Sequence, residues 1–271
     1  MKLAFTTLGC PDWTLRDVIE NASRMGFDGV ELRGIKDEID ISRLPEFTEN
    51  LEETKRLFSD HNVAVSGIGV SARFAVVDPE EKQKHFDETR RNLKLAAQLG
   101  APIVRVFGGH LPKGHSVEDM MPVLVENLRQ IACEAEDYGV TVALETHDAW
   151  TSSSVVSEVM KRVNHEHVRV LWDLHHPFRY SNEQPEETYE NLSPYVVGVH
   201  VKDSVRDEKG QLRNALPGEG DVPLREMLQM LFDGGYDGYV TFEWEKRWRR
   251  DLLEPEIAFP RFVEKMREWF G

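Results

Sequence analysis

The sequence predicts an α/β protein of the (β/α)8 barrel class, a single domain over residues 1–271. Two observations carry that reading. Strand-length apolar runs alternate with helix-period segments along the whole chain, and the alternation comes to eight pairs. No Pro/Ser-rich linker, low-complexity tract or break in composition interrupts it. The strand count favours a closed barrel over an open doubly wound sheet.

Taken in order, Leu3 to Leu8 reads as a first strand, and Leu15, Val18, Ile19 and Ala22 recur on one face of a helix that stops at Gly26. An Asp28-Gly29 turn leads into a second strand, Gly29 to Leu32, and a charged helix from about Thr48 to Asp60 precedes the third, Val63 to Val70. Glu80 to Leu99 is helical and ends at Gly100. Ile103 to Phe107 is a strand, Val117 to Tyr138 a helix with Leu124, Leu128 and Ile131 on one face, and Val140 to Leu144 a strand. Ser152 to Ser154 can cap a helix ending near Val163. Val168 to Trp172, Glu186 to Leu192 and Tyr195 to Val201 follow as strand, helix and strand. Asp221 and Pro223 open a helix with Leu224, Met227, Leu228 and Leu231 inward, Tyr239 to Phe242 is the eighth strand, and Glu256 to Phe270 the last helix. Gly-Phe-Asp-Gly-Val-Glu31 and Gly235-Tyr-Asp-Gly-Tyr echo one another before strands two and eight. Both end a helix with Gly and turn into a strand with Asp-Gly.

The composition narrows the functional classes. Thirty-three Lys and Arg against 48 Asp and Glu leave a net charge of −15, which opposes the counterion release that holds proteins on nucleic acid. No apolar run approaches the ~20 residues needed to span a bilayer. The opening MKLAFTTLGC reads as a strand rather than a lipoprotein signal, because its apolar stretch is short and only Lys2 is basic. Cys10 and Cys133 are too few for a disulfide framework, so a cytoplasmic location is expected.

In this fold the chemistry sits at the C-terminal ends of the strands. Strand five runs VTVALE to Glu145, strand six VRVLWD to Asp173, strand seven VVGVH to His200 and strand eight YVTFE to Glu243. Any one of these could cap a helix or pair with an arginine. Three carboxylates and an imidazole at consecutive strand ends instead form a mixed O/N set suited to one divalent ion: Mn²⁺, Mg²⁺, Co²⁺ or Zn²⁺. A cation also accounts for so much negative charge at one mouth.

The segments ALETH around Glu145, WDLHH around Asp173, GVHVKDS around His200, PGEGDVP (Pro217 to Pro223) and TFEWEKRW from Glu243 resemble the xylose isomerase-like TIM barrels over essentially the whole chain. That family includes sugar and sugar-phosphate isomerases and epimerases, keto-inositol dehydratases and endonuclease IV. The resemblance implies that Glu145, Asp173, His200 and Glu243 bind one catalytic metal, that His176 contacts substrate, and that Arg206 is a substrate-binding arginine. The chain departs from the endonuclease branch, since QLRNAL before PGEGD and GIGVSARF at strand three lack the extra ligands for three zinc ions. It also lacks the second-metal ligand set of true xylose isomerases, which points to a mononuclear site.

The expected chemistry is metal-assisted polarisation of a ketose carbonyl, with Glu145 and Glu243 as the catalytic carboxylates that move a proton through an ene-diolate. Return of the proton to the opposite face is epimerisation, return to the adjacent carbon is isomerisation, and loss of a β-hydroxyl is dehydration. A small keto-sugar isomerase or epimerase is the leading reading. A keto-inositol dehydratase is the alternative, and an endonuclease or a non-catalytic sugar-binding protein follows. Lys202 shares a strand face with His200 and would bind substrate or pair with a carboxylate such as Glu145 or Asp173. His110 and His147, just after strands four and five, are further substrate contacts or solvated loop residues. The Trp244 to Arg250 cluster reads as a solvated lid or a contact in a homo-oligomer, or else closes over an anion. PGEGDVP reads either as an anion-binding turn or as a lead into the seventh helix with Glu219 bracing the site. The expected partner is a small carbohydrate, with no nucleic acid or membrane.

Overall fold

A computed structural model describes residues 1–271. Its strands are β1 (Lys2–Thr6), β2 (Gly29–Leu32), β3 (Ala64–Arg73), β4 (Ile103–Phe107), β5 (Thr141–Glu145), β6 (Val168–Asp173), β7 (Val196–Val201), β8 (Asp203–Arg206), β9 (Leu212–Ala215) and β10 (Tyr239–Phe242). The helices are α1 (Leu15–Met25), α2 (Leu51–Asp60), α3 (Pro79–Leu99), α4 (Val117–Tyr138), α5 (Ser153–Val163), α6 (Pro185–Leu192), α7 (Leu224–Asp233) and α8 (Pro255–Phe270). Eight strands form a closed barrel in the order β1-β10-β7-β6-β5-β4-β3-β2, and β8 and β9 form a separate antiparallel pair. The barrel class expected from the sequence is thus the one found. No helix is long and apolar enough to cross a membrane.

The chain forms two compact units, Met1–Ser66 with Val199–Gly271, and Gly67–Gly198. In the first, Thr14 and Asp17 close a capping box on α1, whose buried face is Leu15, Val18, Ile19 and Ala22 and whose end is Gly26 at φ +83°. Phe5, Phe27, Phe242, Phe259 and Phe262 fill the space under α8, with the Phe242 and Phe262 rings stacked 4.7 Å apart. Each such ring stabilises the fold by about 1.5–3 kcal/mol on burial. In the second unit Ser116 and Asp119 cap α4, which buries Leu124, Leu128 and Ile131, while Ile103, Ala143 and Leu171 pack together.

Several boundaries differ from the sequence reading for local reasons. β1 stops at Thr6, because the Thr7 hydroxyl donates to the Gly34 carbonyl at 2.7 Å and accepts from the Arg33 N–H at 2.8 Å, inside a 3-10 turn over Thr7–Gly9. α2 begins at Leu51 rather than Thr48, after 3-10 turns at Ile41–Arg43 and Pro45–Phe47, and the Thr48 hydroxyl bonds back to the Leu44 carbonyl. No serine hydroxyl caps α5. The Glu183 carboxylate does so instead, accepting from the Ser153 N–H at 2.8 Å.

Candidate active site

On the β4 to β6 side, Glu145 ends β5 and is fully buried. A buried carboxylate needs a partner, and Arg105 of β4 provides one, with Nε 3.2 Å from Glu145 Oε2. Arg105 is itself held: it donates to the Val70 carbonyl at 3.1 Å and its guanidinium lies 4.1 Å from the centre of the Phe107 ring. Asp173 ends β6, also fully buried. Its Oδ1 accepts from the backbone N–H of His175 at 2.8 Å and of His176 at 3.1 Å, and its own N–H donates to Thr146 Oγ1. His176 Nδ1 lies 2.8 Å from the Thr146 carbonyl, which can only accept, so the proton is on Nδ1.

His147 packs against the Phe107 and His176 rings, and its Nδ1 is 3.0 Å from Asp148 Oδ1. His110, exposed, reaches the same oxygen at 3.3 Å. Burial works against the Asp148 charge, but the hydrogen bond and charge of His147, with His110 and Arg73 behind them, outweigh it and hold the carboxyl below its ordinary value. His147, Asp148, Thr151, His176 and Tyr180 line a cavity of about 270 Å³.

On the β2, β7 and β10 side, His200 is fully buried, with Nε2 2.9 Å from Glu31 Oε2 and Nδ1 3.4 Å from Glu243 Oε1. Glu243, just past β10, also takes the Lys202 ammonium at 2.6 Å. Burial opposes its charge, yet Lys202 and His200 hold the carboxyl well below the usual range. Lys202 therefore pairs with Glu243, a carboxylate the sequence pattern did not single out for it.

Asp203 accepts the N–H groups of Ser204, Gly218, Gly220 and Val222. That settles the role of PGEGDVP, because the N–H groups an anion would use are already spent on Asp203. A Cβ at Gly220 would fall 1.9 Å from Asp203 Oδ1, so only glycine fits there. Glu219 is exposed and lies 3.6 Å from Arg261 of α8, so it does not brace the site. Arg206 is exposed at the end of β8 and donates to the Gly210 carbonyl of its own hairpin. In the loop after β10, Lys246 is buried against the Leu252 and Arg250 carbonyls and Glu254, Arg247 bonds the Lys36 carbonyl, and Arg250 pairs with Asp12. The basic cluster is largely committed to internal contacts.

Arg105 and Glu31 escape the sequence reading. The available signal was a charged residue inside an apolar strand, IVRVF and GVEL, which must find a partner if its strand lines a core.

Residues 19–266 match the family described as xylose isomerase-like TIM barrel, and the chain belongs to it. Fructoselysine 3-epimerase of Escherichia coli O157:H7 is 22% identical over 98% of this chain and 98% of that one. Inosose dehydratase of Clostridium perfringens (strain 13 / Type A) is 22% identical over 95% and 90%. The crystal structure of the IOLI protein with a bound zinc atom superposes with a TM-score of 0.84 at 20% identity, over 99% and 98%. The relatives with a named activity include a sugar epimerase, an inosose isomerase and an inosose dehydratase, which makes this an enzyme family of small-carbohydrate chemistry.

Proposed function

We propose that the chain is a divalent-metal-dependent isomerase or epimerase of a small keto-sugar or sugar derivative, with Glu145, Asp173, His200 and Glu243 as the metal ligands. One observation carries the reading: Glu145 and Asp173 in one unit, and His200 and Glu243 in the other, are ligand-type side chains buried at or just past strand ends, where burial is costly unless a cation pairs them. Three carboxylate oxygens and one imidazole nitrogen fit a hard or borderline cation such as Mn²⁺, Mg²⁺, Co²⁺ or Zn²⁺. Such an ion would polarise a substrate carbonyl and its neighbouring hydroxyl.

The chain's own residues do the rest. Glu243, held ionised by Lys202 and His200, takes the proton from the carbon beside the carbonyl, and its electron pair passes into an ene-diolate. Glu145, fixed by Arg105, gives the ene-diolate a proton drawn from solvent, and Glu243 releases the one it took to solvent, which restores both carboxylates. His176, Lys202, His110 and Arg206 are the substrate contacts on this reading, with His176 in the wall of the 270 Å³ cavity. The inosose dehydratase relatives support a second outcome, in which the same intermediate loses a β-hydroxyl.

The test is solvent-deuterium exchange by Mn²⁺-loaded protein across a panel of ketoses and inososes, read by proton NMR. The expected result is deuterium at the carbon next to the carbonyl, abolished in Glu145→Gln and Glu243→Gln. A protein that binds the metal yet exchanges nothing in the panel overturns the assignment, and an unsaturated product signal selects the dehydratase.

A further inference from the structure

Glu31 is the one buried carboxylate beside His200 that the proposed ligand set leaves unused. It lies in β2, is 2% exposed, and belongs to the GFDGVEL segment whose echo precedes β10. In the order β7-β10-β1-β2 it stands three strands from His200, so the contact is made across the interior rather than between neighbours. Its Oε2 is 2.9 Å from His200 Nε2, and its Oε1 has no hydrogen-bond partner. Burying a carboxylate for so little return is costly, and packing alone would be served better by an apolar residue. The carboxylate is explained by the ring it holds.

We propose that Glu31 is a positioning residue that sets the tautomer of His200 and thereby prepares it as a metal ligand; this rests on the metal reading above. An ionised carboxylate only accepts, so Nε2 carries the proton. Nδ1 is left as the ring atom for a cation, and it faces Glu243 Oε1 at 3.4 Å. The Glu31 bond also fixes the ring plane and raises the basicity of the ligating nitrogen. Glu243 cannot substitute for it, because it lies on the Nδ1 side.

The experiment compares wild type, His200→Gln, Glu31→Ala and Glu31→Gln by Zn²⁺ titration against a competing chelator and by long-range ¹H–¹⁵N NMR of the zinc-loaded imidazoles, with thermal unfolding as a fold check. His200→Gln identifies the resonance. The expected result is an Nε2–H tautomer in wild type and a fall in zinc affinity of about 10- to 100-fold in Glu31→Ala. Glu31→Gln, which keeps the shape and one acceptor oxygen, should lose less. If His200→Gln loses zinc while both Glu31 variants bind as tightly as wild type with an unchanged tautomer, the positioning role is wrong and the metal site stands. If wild type itself binds no zinc, Mn²⁺ or Co²⁺, both inferences fall together. Should Glu31→Ala not fold, the isosteric Glu31→Gln decides, since any loss of affinity in a protein with wild-type unfolding is then a loss of positioning.

Discussion

The β4 to β6 side and the β2, β7 and β10 side of the molecule each bury a glutamate against a cation and orient a second ligand-type side chain, but they do it with different chemistry. Glu145 meets an arginine that is itself tied to the Val70 carbonyl and laid over Phe107. Asp173 is held by two backbone N–H groups. These partners are an arginine and main-chain N–H groups. Glu243 meets a lysine, a compact charge on a flexible stem, and His200 is held by another side chain, Glu31. The first side is built to stay as it is. The second is made of groups that can exchange protons, which on the proposed reading suits Glu243 to take a proton while Glu145 gives one from a fixed geometry.

The strongest way to break this contrast is to remove the fixed cation. Arg105→Met takes away the cation paired with the buried Glu145 and should cost about 3–5 kcal/mol in the free energy of urea unfolding. A loss below about 1 kcal/mol would mean that Glu145 does not depend on its arginine.

A smaller, pH-dependent effect is expected on the other side. The Glu243 carboxyl sits well below its ordinary value of 4.5, so its stabilising contribution is complete above that pH. It is lost as pH falls through the folded-state value. In Lys202→Met burial dominates instead, and the fall in stability between about pH 5 and pH 3 should become shallower than in wild type. Parallel curves for the two proteins would show that Lys202 is not what keeps Glu243 ionised.

The smallest effect is expected at the exposed rim. Arg206→Ala removes a side chain that bonds only within its hairpin, so unfolding should change by no more than about 0.5 kcal/mol. Any consequence should appear as a raised KM for an anionic substrate with kcat unchanged. A fall in stability of about 2 kcal/mol would assign Arg206 to the fold instead.

Much of the architecture was legible because it is local. The boundaries of β2, β4, β10 and α4 coincide with those read from apolar period and glycine stops, and Glu145 and Asp173 close their strands as read. The hairpin of β8 and β9 was not legible. Its strands, DSVR and LRNA, have no apolar alternation and pair through backbone bonds. The five-residue π-turn Pro177–Ser181 was likewise invisible, since its Pro start reads as a loop. The basic loop after β10 misled for a related reason: a count of cations cannot register that Lys246 is buried on three internal acceptors.

By itself the sequence determined the eight strand-helix units and the residue type at each strand end, because period, capping and turns act over a few neighbouring residues. Only the tertiary structure decided which buried charges meet. Glu31 and His200 are 169 positions apart and Lys202 and Glu243 are 41. No local rule links such residues, since their pairing depends on strand order and register, and a charge inside an apolar strand reads the same until its facing partner is known.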